Sequence, residues 1–438
     1  MCDASQLRQW DLDHVWHPFT QMAVYRIEEA PIIVGAEGFF LIDASGRKYL
    51  DGHSSLWCNI HGHRVPELDT ALHQQLQRVS HSTLLGLANE PSILLARELV
   101  RRAPPGLNKV FYADCGAAGV EVALKLAWQY HRQKPRPEPR DLFACLAAAY
   151  HGDTVGTVSL GGIELFHSLF AGLTFPVLRL PHPCQPGGSL SECLEQTEEL
   201  IAQHANRLVA VVVEPLVQAA AGIVVHPPGY LHGLRAITSR HRILLIADEI
   251  AVAFGRVGSL WACSQENVIP DMLVLSKGLT AGYLPLAATL VTDEIYEAFL
   301  GQPWEQRTFY HGHTYTGNPL ACAVALASLN RLETHGVLEN AKQLEALLHR
   351  ELVCPLMSQP ATFHVQAVRH RGTMVGIELA ETNPRDQLGH RATLACRELG
   401  VIVRNIGAVL VVMPAPAMPL ELAHQLCQVV LQALQQLT

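Results

Sequence analysis

Short, uninterrupted apolar runs alternate with stretches of helical spacing along most of the chain. Leu142 to Ala147, Leu208 to Val213, Ile243 to Ala247 and Met272 to Leu275 carry no charged residue. Runs of this length predict strands buried on both faces, as found where helices cover a mostly parallel sheet. Lys109 to Tyr112 predicts another strand, ending at Ala113-Asp114-Cys115-Gly116, and Val120 to His131 has helical spacing. Pro66-Glu67 opens a helix and Pro91 to Arg102 makes another. Ile32 to Asp51 alternates short apolar stretches with turns such as Ala44-Ser45-Gly46-Arg47, which predicts a hairpin or meander. Lys134 to Arg140 has proline at every second position and is a surface loop, as is Pro181 to Ser189. A second αβ pattern fills residues 335–438 and includes the strand-like Met374 to Leu379 and Val401 to Arg404, with Arg404 near the C-terminal end of its strand. Residues 1–30 set Trp10, Trp16, Phe19 and Tyr25 in a polar background, which fits an arm packed on other surfaces. The pattern predicts an α/β chain. Residues 1–66 form the arm and part of a small α+β domain, 67–334 the large domain, and 335–438 the rest of the small one.

Composition narrows this picture. The 438 residues are enough for two domains and a large core. The chain is 49% apolar and 16% charged, the range of a packed globular protein. A net charge of -8 leaves no basic footprint for nucleic acid. The apolar runs are too short to span a bilayer. Met1 to Gln6 shows no basic segment leading into an apolar one, so no signal peptide is expected. Eleven cysteines, an odd number with no CxxC pair, are read as reduced, mostly buried thiols of a cytoplasmic protein.

Two apolar runs end in a charged group. Leu244-Leu245-Ile246-Ala247-Asp248-Glu249-Ile250 offers a carboxylate at the mouth of a buried strand. Leu273-Val274-Leu275-Ser276-Lys277-Gly278 offers a primary amine in an apolar, glycine-flanked setting. Desolvation lowers an amine's pKa and frees it to attack a carbonyl, while a carboxylate holds a pyridine nitrogen protonated. Those are the two requirements of pyridoxal phosphate (PLP). The bland readings are a snorkelling Lys277 and a helix-capping Asp248.

Other segments carry the same double reading. Asp114 to Gly119 leaves a strand and enters a helix, which suits an anion or is only a tight turn. Tyr150-His151-Gly152-Asp153 follows a strand, where open α/β sheets place ligands, and its tyrosine either stacks on a planar ring or closes the core edge. Glu214 ends the most apolar strand, where a carboxylate is costly unless paired, and Arg256 is a candidate partner. His61-Gly62-His63 and His311-Gly312-His313 bring too few converging ligands for zinc, so no metal is expected. Thr314 suits a phosphate. Arg404 suits a substrate carboxylate through bidentate bonds, or is a surface arginine.

Taken in order, Gly116, Tyr150-His151-Gly152, Glu214, Asp248-Glu249, Lys277 and Thr314 resemble the class III PLP aminotransferases over nearly the whole chain. Within that class the chain looks most like the biotin-pathway branch. The narrower likeness rests on His14 to Met22, Asp51-Gly52-His53-Ser54-Ser55-Leu56-Trp57, Ile60 to His63, His81 to Gly86, His311 to Pro319, and Arg404 with Met413-Pro414.

The resemblance implies PLP fold type I, with a seven-stranded, mostly parallel sheet in the large domain. It implies transamination of 8-amino-7-oxononanoate, with S-adenosylmethionine or lysine as amino donor. Lys277 would carry the cofactor and shuttle the proton, and Asp248 would face the ring nitrogen. Gly116, Ala117, His313 and Thr314 would serve the phosphate end. Tyr150 and Ile250 would flank the ring, with Glu214 close by. Phe19, Trp57, Tyr150, Lys277, Gly312 and Arg404 would line the substrate pocket, Arg404 taking the carboxylate. Thr314 would come from a partner subunit, which implies a homodimer with two shared active sites.

The chain departs from common family patterns in four places. Ala117 stands for serine, Val252-Ala253 for Thr-Gly, Leu56 for a first tryptophan, and Phe19 for tyrosine. The first predicts weaker cofactor retention, and the last two make the donor side less aromatic and less polar. A broader ω-amino-acid or diamine aminotransferase is the alternative in the same fold. A non-catalytic PLP-fold binding protein is the alternative outside enzymology.

Overall fold

The computed structural model describes residues 3–183 and 188–437. At its centre is a seven-stranded sheet. Across it run Leu107–Ala113, Ala287–Thr292, Met272–Leu275, Leu244–Asp248, Leu208–Val213, Leu142–Leu146 and Val177–Leu180. Ala287–Thr292 is antiparallel to both neighbours, and the five strands from Met272–Leu275 onward run parallel to one another. Every residue of Leu208–Val213 is fully buried, as an unbroken apolar, β-branched run requires when helices cover both faces. The helix Gly116–Gln133 lies on this sheet. A Cβ at Gly119 would sit 3.0 Å from Val274 and 3.1 Å from Ala287, so glycine there lets the helix approach closely. The helix Pro319–Thr334 starts at Asn318, whose side chain accepts from the Leu320 and Ala321 amides, with proline in the first turn. It packs on Pro66–Arg78 and Glu90–Arg102, the two helices expected from their prolines.

The expected meander is present as Ile33–Glu37, Phe40–Asp43 and Lys48–Asp51. Its last strand pairs in parallel with Val401–Ile402, Leu50 facing Val401. A further antiparallel sheet contains Val365–Arg371, Met374–Leu379, Val409–Val412 and Arg404–Ile406. Residues from both ends of the chain, including Leu50, Ile377, Leu410, Leu426 and Val430, form one apolar cluster under the helix Leu420–Gln435. The single strand expected from Val401 to Arg404 is in fact two. The chain leaves one sheet at Val403 and joins another at Arg404, which therefore opens a strand instead of closing one.

Lys134 to Arg140 is a loop, as its prolines demand. The expected loop Pro181 to Ser189 lies partly outside the described residues. Among the described residues no helix is long and apolar enough to cross a membrane. Four parallel strands, Leu142–Leu146, Leu208–Val213, Leu244–Asp248 and Met272–Leu275, deliver their carboxyl ends to the same edge of the large sheet. Open α/β sheets build ligand sites at that edge.

Candidate active site

Each of these strand ends contributes a polar side chain to one cavity of about 520 Å³, the size of a small-molecule site. Tyr150, Glu214, Asp248 and Lys277 line it, together with Gly116, Ala117 and Ile250 at the helix entry, and Phe19, Trp57 and Arg404 on the far wall. Gly312, His313 and Thr314 of the same chain do not reach it. They line a separate groove with Leu84, Tyr112 and Phe309.

Asp248 closes its strand with the carboxylate buried. Its Oδ2 lies 2.7 Å from His151 Nδ1, and its Oδ1 accepts from the Ile250 amide at 3.1 Å. Residues after Asp248 form turns, not a helix, so the acid caps nothing longer than that turn. Lys277 follows its strand by two residues, with φ at 43° and its Nζ 4.6 Å from the Trp57 ring centroid. Burial lowers the Lys277 pKa, while the Asp248 and Glu214 carboxylates pull the other way. A lysine so placed has a larger neutral fraction than one in water, which is what carbonyl capture needs.

Glu214 does not pair with Arg256, contrary to expectation. Its Oε1 accepts from the Tyr150 amide at 3.1 Å and its Oε2 from the Ala219 amide at 3.0 Å. Arg256 donates instead to Ser54 Oγ and to the Pro414 and Asn59 carbonyls. Backbone amides serve Glu214, and two carbonyls with the Ser54 hydroxyl serve Arg256, so the two do not pair. Burial pushes Glu214 up to about 7, with nearby His151 opposing and Asp248 adding to the rise. Glu249 turns away from the cavity and accepts from the Ala262 and Cys263 amides.

On the far wall the Arg404 guanidinium carbon sits 5.5 Å from the Phe19 ring centroid. Among the described residues no carboxylate lies within ion-pair distance of it. Tyr150 donates its hydroxyl to Asp153 at 2.9 Å. Phe166, whose ring centroid is 5.4 Å from that of Phe19, extends the wall. His151, Asp153 and Phe166 had no role assigned from the sequence. His151 was visible only as a neighbour of Tyr150, and nothing in its spacing points at Asp248.

The two His-Gly-His segments are spent elsewhere. His61 is buried on Ser328 Oγ at 3.0 Å, and burial pushes it down to about 3. His63 Nε2 lies 3.0 Å from Asp51. Lys125 Nζ sits 2.9 Å from His311 Nδ1, and His313 Nδ1 is 3.9 Å from Asp114. Among the described residues no group of three or more His, Cys, Asp and Glu is placed to hold a metal ion.

The cavity suits a flat, anionic cofactor. Cβ atoms at Gly116 and Gly152 would stand 2.9 Å from Ile250 and 2.5 Å from Ala117, so glycine at both keeps the cradle open. The first amides of the helix Gly116–Gln133 have no acceptor within the helix and point out of its N-terminus. Comparison with known proteins agrees with this chemistry. The class III aminotransferase family model matches residues 24–434. The chain is 51% identical over 433 residues to the adenosylmethionine-8-amino-7-oxononanoate aminotransferase of Nitratidesulfovibrio vulgaris, covering 94% of this chain and 79% of the relative. The crystal structure of the enzyme of that name from Methanocaldococcus jannaschii matches with a TM-score of 0.94 at 41% identity, covering 99% of each chain. An amine transaminase from an uncultivated Pseudomonas species, in its PLP-bound form, matches at 0.91 and 32% identity, covering 97% of this chain and 99% of the other. The chain belongs to the class III aminotransferases.

Proposed function

We propose that this aminotransferase converts 8-amino-7-oxononanoate to 7,8-diaminononanoate in biotin synthesis, using PLP and either S-adenosylmethionine or lysine as amino donor. The observation that carries the reading is the meeting in one cavity of Lys277, Asp248 and an Arg404 that has no carboxylate partner among the described residues. When bound, PLP supplies the carbon that accepts the amino group and a ring that takes up the electron pair released at the substrate.

The residues divide the remaining work. Asp248, steadied by His151 and the Ile250 amide, holds a proton on the ring nitrogen. The Lys277 amine would take the proton from the substrate carbon that carries the amino group and return it on the far side of the nitrogen, two atoms away. Gly116 and Ala117 hold the phosphate through backbone amides. Tyr150 and Ile250 line the cavity on the walls between which the ring would lie. Phe19 and Trp57 narrow the pocket, and Arg404 binds the carboxylate of the acceptor. Gly312, His313 and Thr314 reach the cavity of a second copy, so that two chains share two sites. Their placement on a groove lined by the exposed Leu85, Leu87 and Tyr310 supports this arrangement.

The test is a half-reaction panel on purified protein. S-adenosylmethionine, lysine and a simple ω-amino acid are added one at a time while the visible band of the bound cofactor is followed. Loss of the band with S-adenosylmethionine or lysine, and its return with 8-amino-7-oxononanoate, is the expected result and names the donor. Absence of any band after PLP addition overturns the reading.

A further inference from the structure

Ser54, Ser55, Leu56 and Trp57 have φ of 56°, 47°, 70° and 69°. They make a complete left-handed turn without a glycine. Its bonds are helical: the Trp57 amide donates to the His53 carbonyl at 3.0 Å, and the Cys58 amide to the Ser54 carbonyl at 3.1 Å. L-residues visit this region singly because Cβ crowds the following carbonyl, so a run of four must be imposed by its surroundings.

The groups that impose it are buried and polar. Asp51, 3% exposed, accepts from the Ser55 amide at 3.0 Å and from Ser55 Oγ at 2.7 Å. His63 Nε2 lies 3.0 Å from the same carboxylate and His53 Nδ1 3.5 Å. Arg256 donates to Ser54 Oγ at 3.1 Å, and that hydroxyl donates to the Met413 carbonyl at 2.6 Å. Neither Asp51, Ser55 nor Arg256 lines the cavity. Leu56 and Trp57 do, and the Trp57 ring stands against Lys277.

We propose that Asp51 is a positioning residue for substrate selection: its carboxylate locks the left-handed turn that sets Leu56 and Trp57 as a fixed wall of the pocket. The proposal rests on that cavity being the transaminase site. Without the carboxylate the turn relaxes toward ordinary backbone and the wall moves. Lys277, on a separate strand end, stays in place. Selection is therefore lost before chemistry.

The experiment compares Asp51→Asn, Ser55→Ala and the double variant Asp51→Asn with Ser55→Gly, each as holoenzyme. Asp51→Asn is expected to raise KM for 8-amino-7-oxononanoate about tenfold while kcat changes by less than about threefold, the pattern of lost binding with chemistry intact. Ser55→Ala moves KM the same way by a smaller factor, and it carries the test if Asp51→Asn does not fold. Glycine at 55 takes the positive φ without an anchor and is expected to recover much of the loss in the double variant. A readout free of turnover is the emission of Trp57, isolated by subtracting Trp57→Phe, which is expected to shift red in Asp51→Asn. Unchanged KM and emission in Asp51→Asn overturn the proposal. So does a joint fall of kcat, KM behaviour and thermal stability that Ser55→Gly leaves unrepaired. If the parent enzyme does not use 8-amino-7-oxononanoate, the acceptor reading fails, and the Trp57 emission alone decides the role of the turn.

Discussion

At the scale of single residues, the proposed function rests most heavily on Lys277. Its amine is buried beneath Trp57, with two carboxylates close enough to oppose the loss of its charge. Lys277→Ala is expected to abolish turnover while leaving a folded protein, checked by steady-state assay beside a thermal melt. His151 acts one step removed. Its buried ring gives Asp248 a 2.7 Å partner. Losing a hydrogen bond to a charged group costs about 1.5–3 kcal/mol, so His151→Ala is expected to lower kcat by roughly 10- to 100-fold. The same variant should release cofactor faster, which gel filtration followed by absorbance measures. Ala117→Ser adds a hydroxyl at the mouth of the helix and is expected to slow cofactor dissociation. A dilution time course that shows no slowing would count against a role for that hydroxyl. That Lys277 and Asp248 would stand at strand ends on one cavity was legible because each ends an apolar run that has no structural need of a charge. The Glu214–Arg256 pairing was misread for a related reason. A sequence displays opposite charges but not the backbone amides and carbonyls that satisfy them once the chain turns.

At the scale of elements, burial on both faces made the parallel strands readable. Leu245 shows what that burial is worth. It is fully buried, faces Val211 on the next strand, and its amide donates to Asp271 at 2.7 Å. Leu245→Ala is expected to cost about 2–5 kcal/mol, read as a lower urea midpoint with an unchanged slope. Elements whose geometry depends on distant partners were not readable. His53-Ser54-Ser55-Leu56-Trp57 has no glycine to announce a left-handed turn, and besides Asp51 close by, its polar contacts come from Arg256 and Met413, far along the chain. The break at Val403 has the same origin. Val401 and Arg404 are both acceptable strand residues, and which sheet each joins is decided by Leu50 and Val411 elsewhere in the chain.

At the scale of the whole molecule, buried acids tie stability to pH. Burial pushes Glu249 up to about 7, with the Cys263 and Ala262 amides opposing. A folded pKa raised above the unfolded one means that the native state holds a proton the unfolded chain gives up. Stability is then full below about pH 4.5 and declines as pH rises toward about 7, by about 3 kcal/mol for a shift of this size. Because Glu214 and the buried histidines titrate in the same range, the Glu249 contribution is read as a difference: urea unfolding at pH 5 and pH 7.5 is expected to show the stability of the wild type falling relative to that of Glu249→Gln as pH rises. The alternation of apolar runs made the large sheet legible from the sequence. The joining of the two ends of the chain was not, because pairing Lys48–Asp51 with Val401–Ile402 leaves no local trace. That joining has a consequence for how the protein is made. Arg47 donates to a carbonyl 350 positions further on. At about 5–20 residues per second, a ribosome takes tens of seconds to deliver that partner. Throughout that interval the nascent meander carries an open strand edge, the kind of surface that pairs with the wrong chain and that chaperones cover.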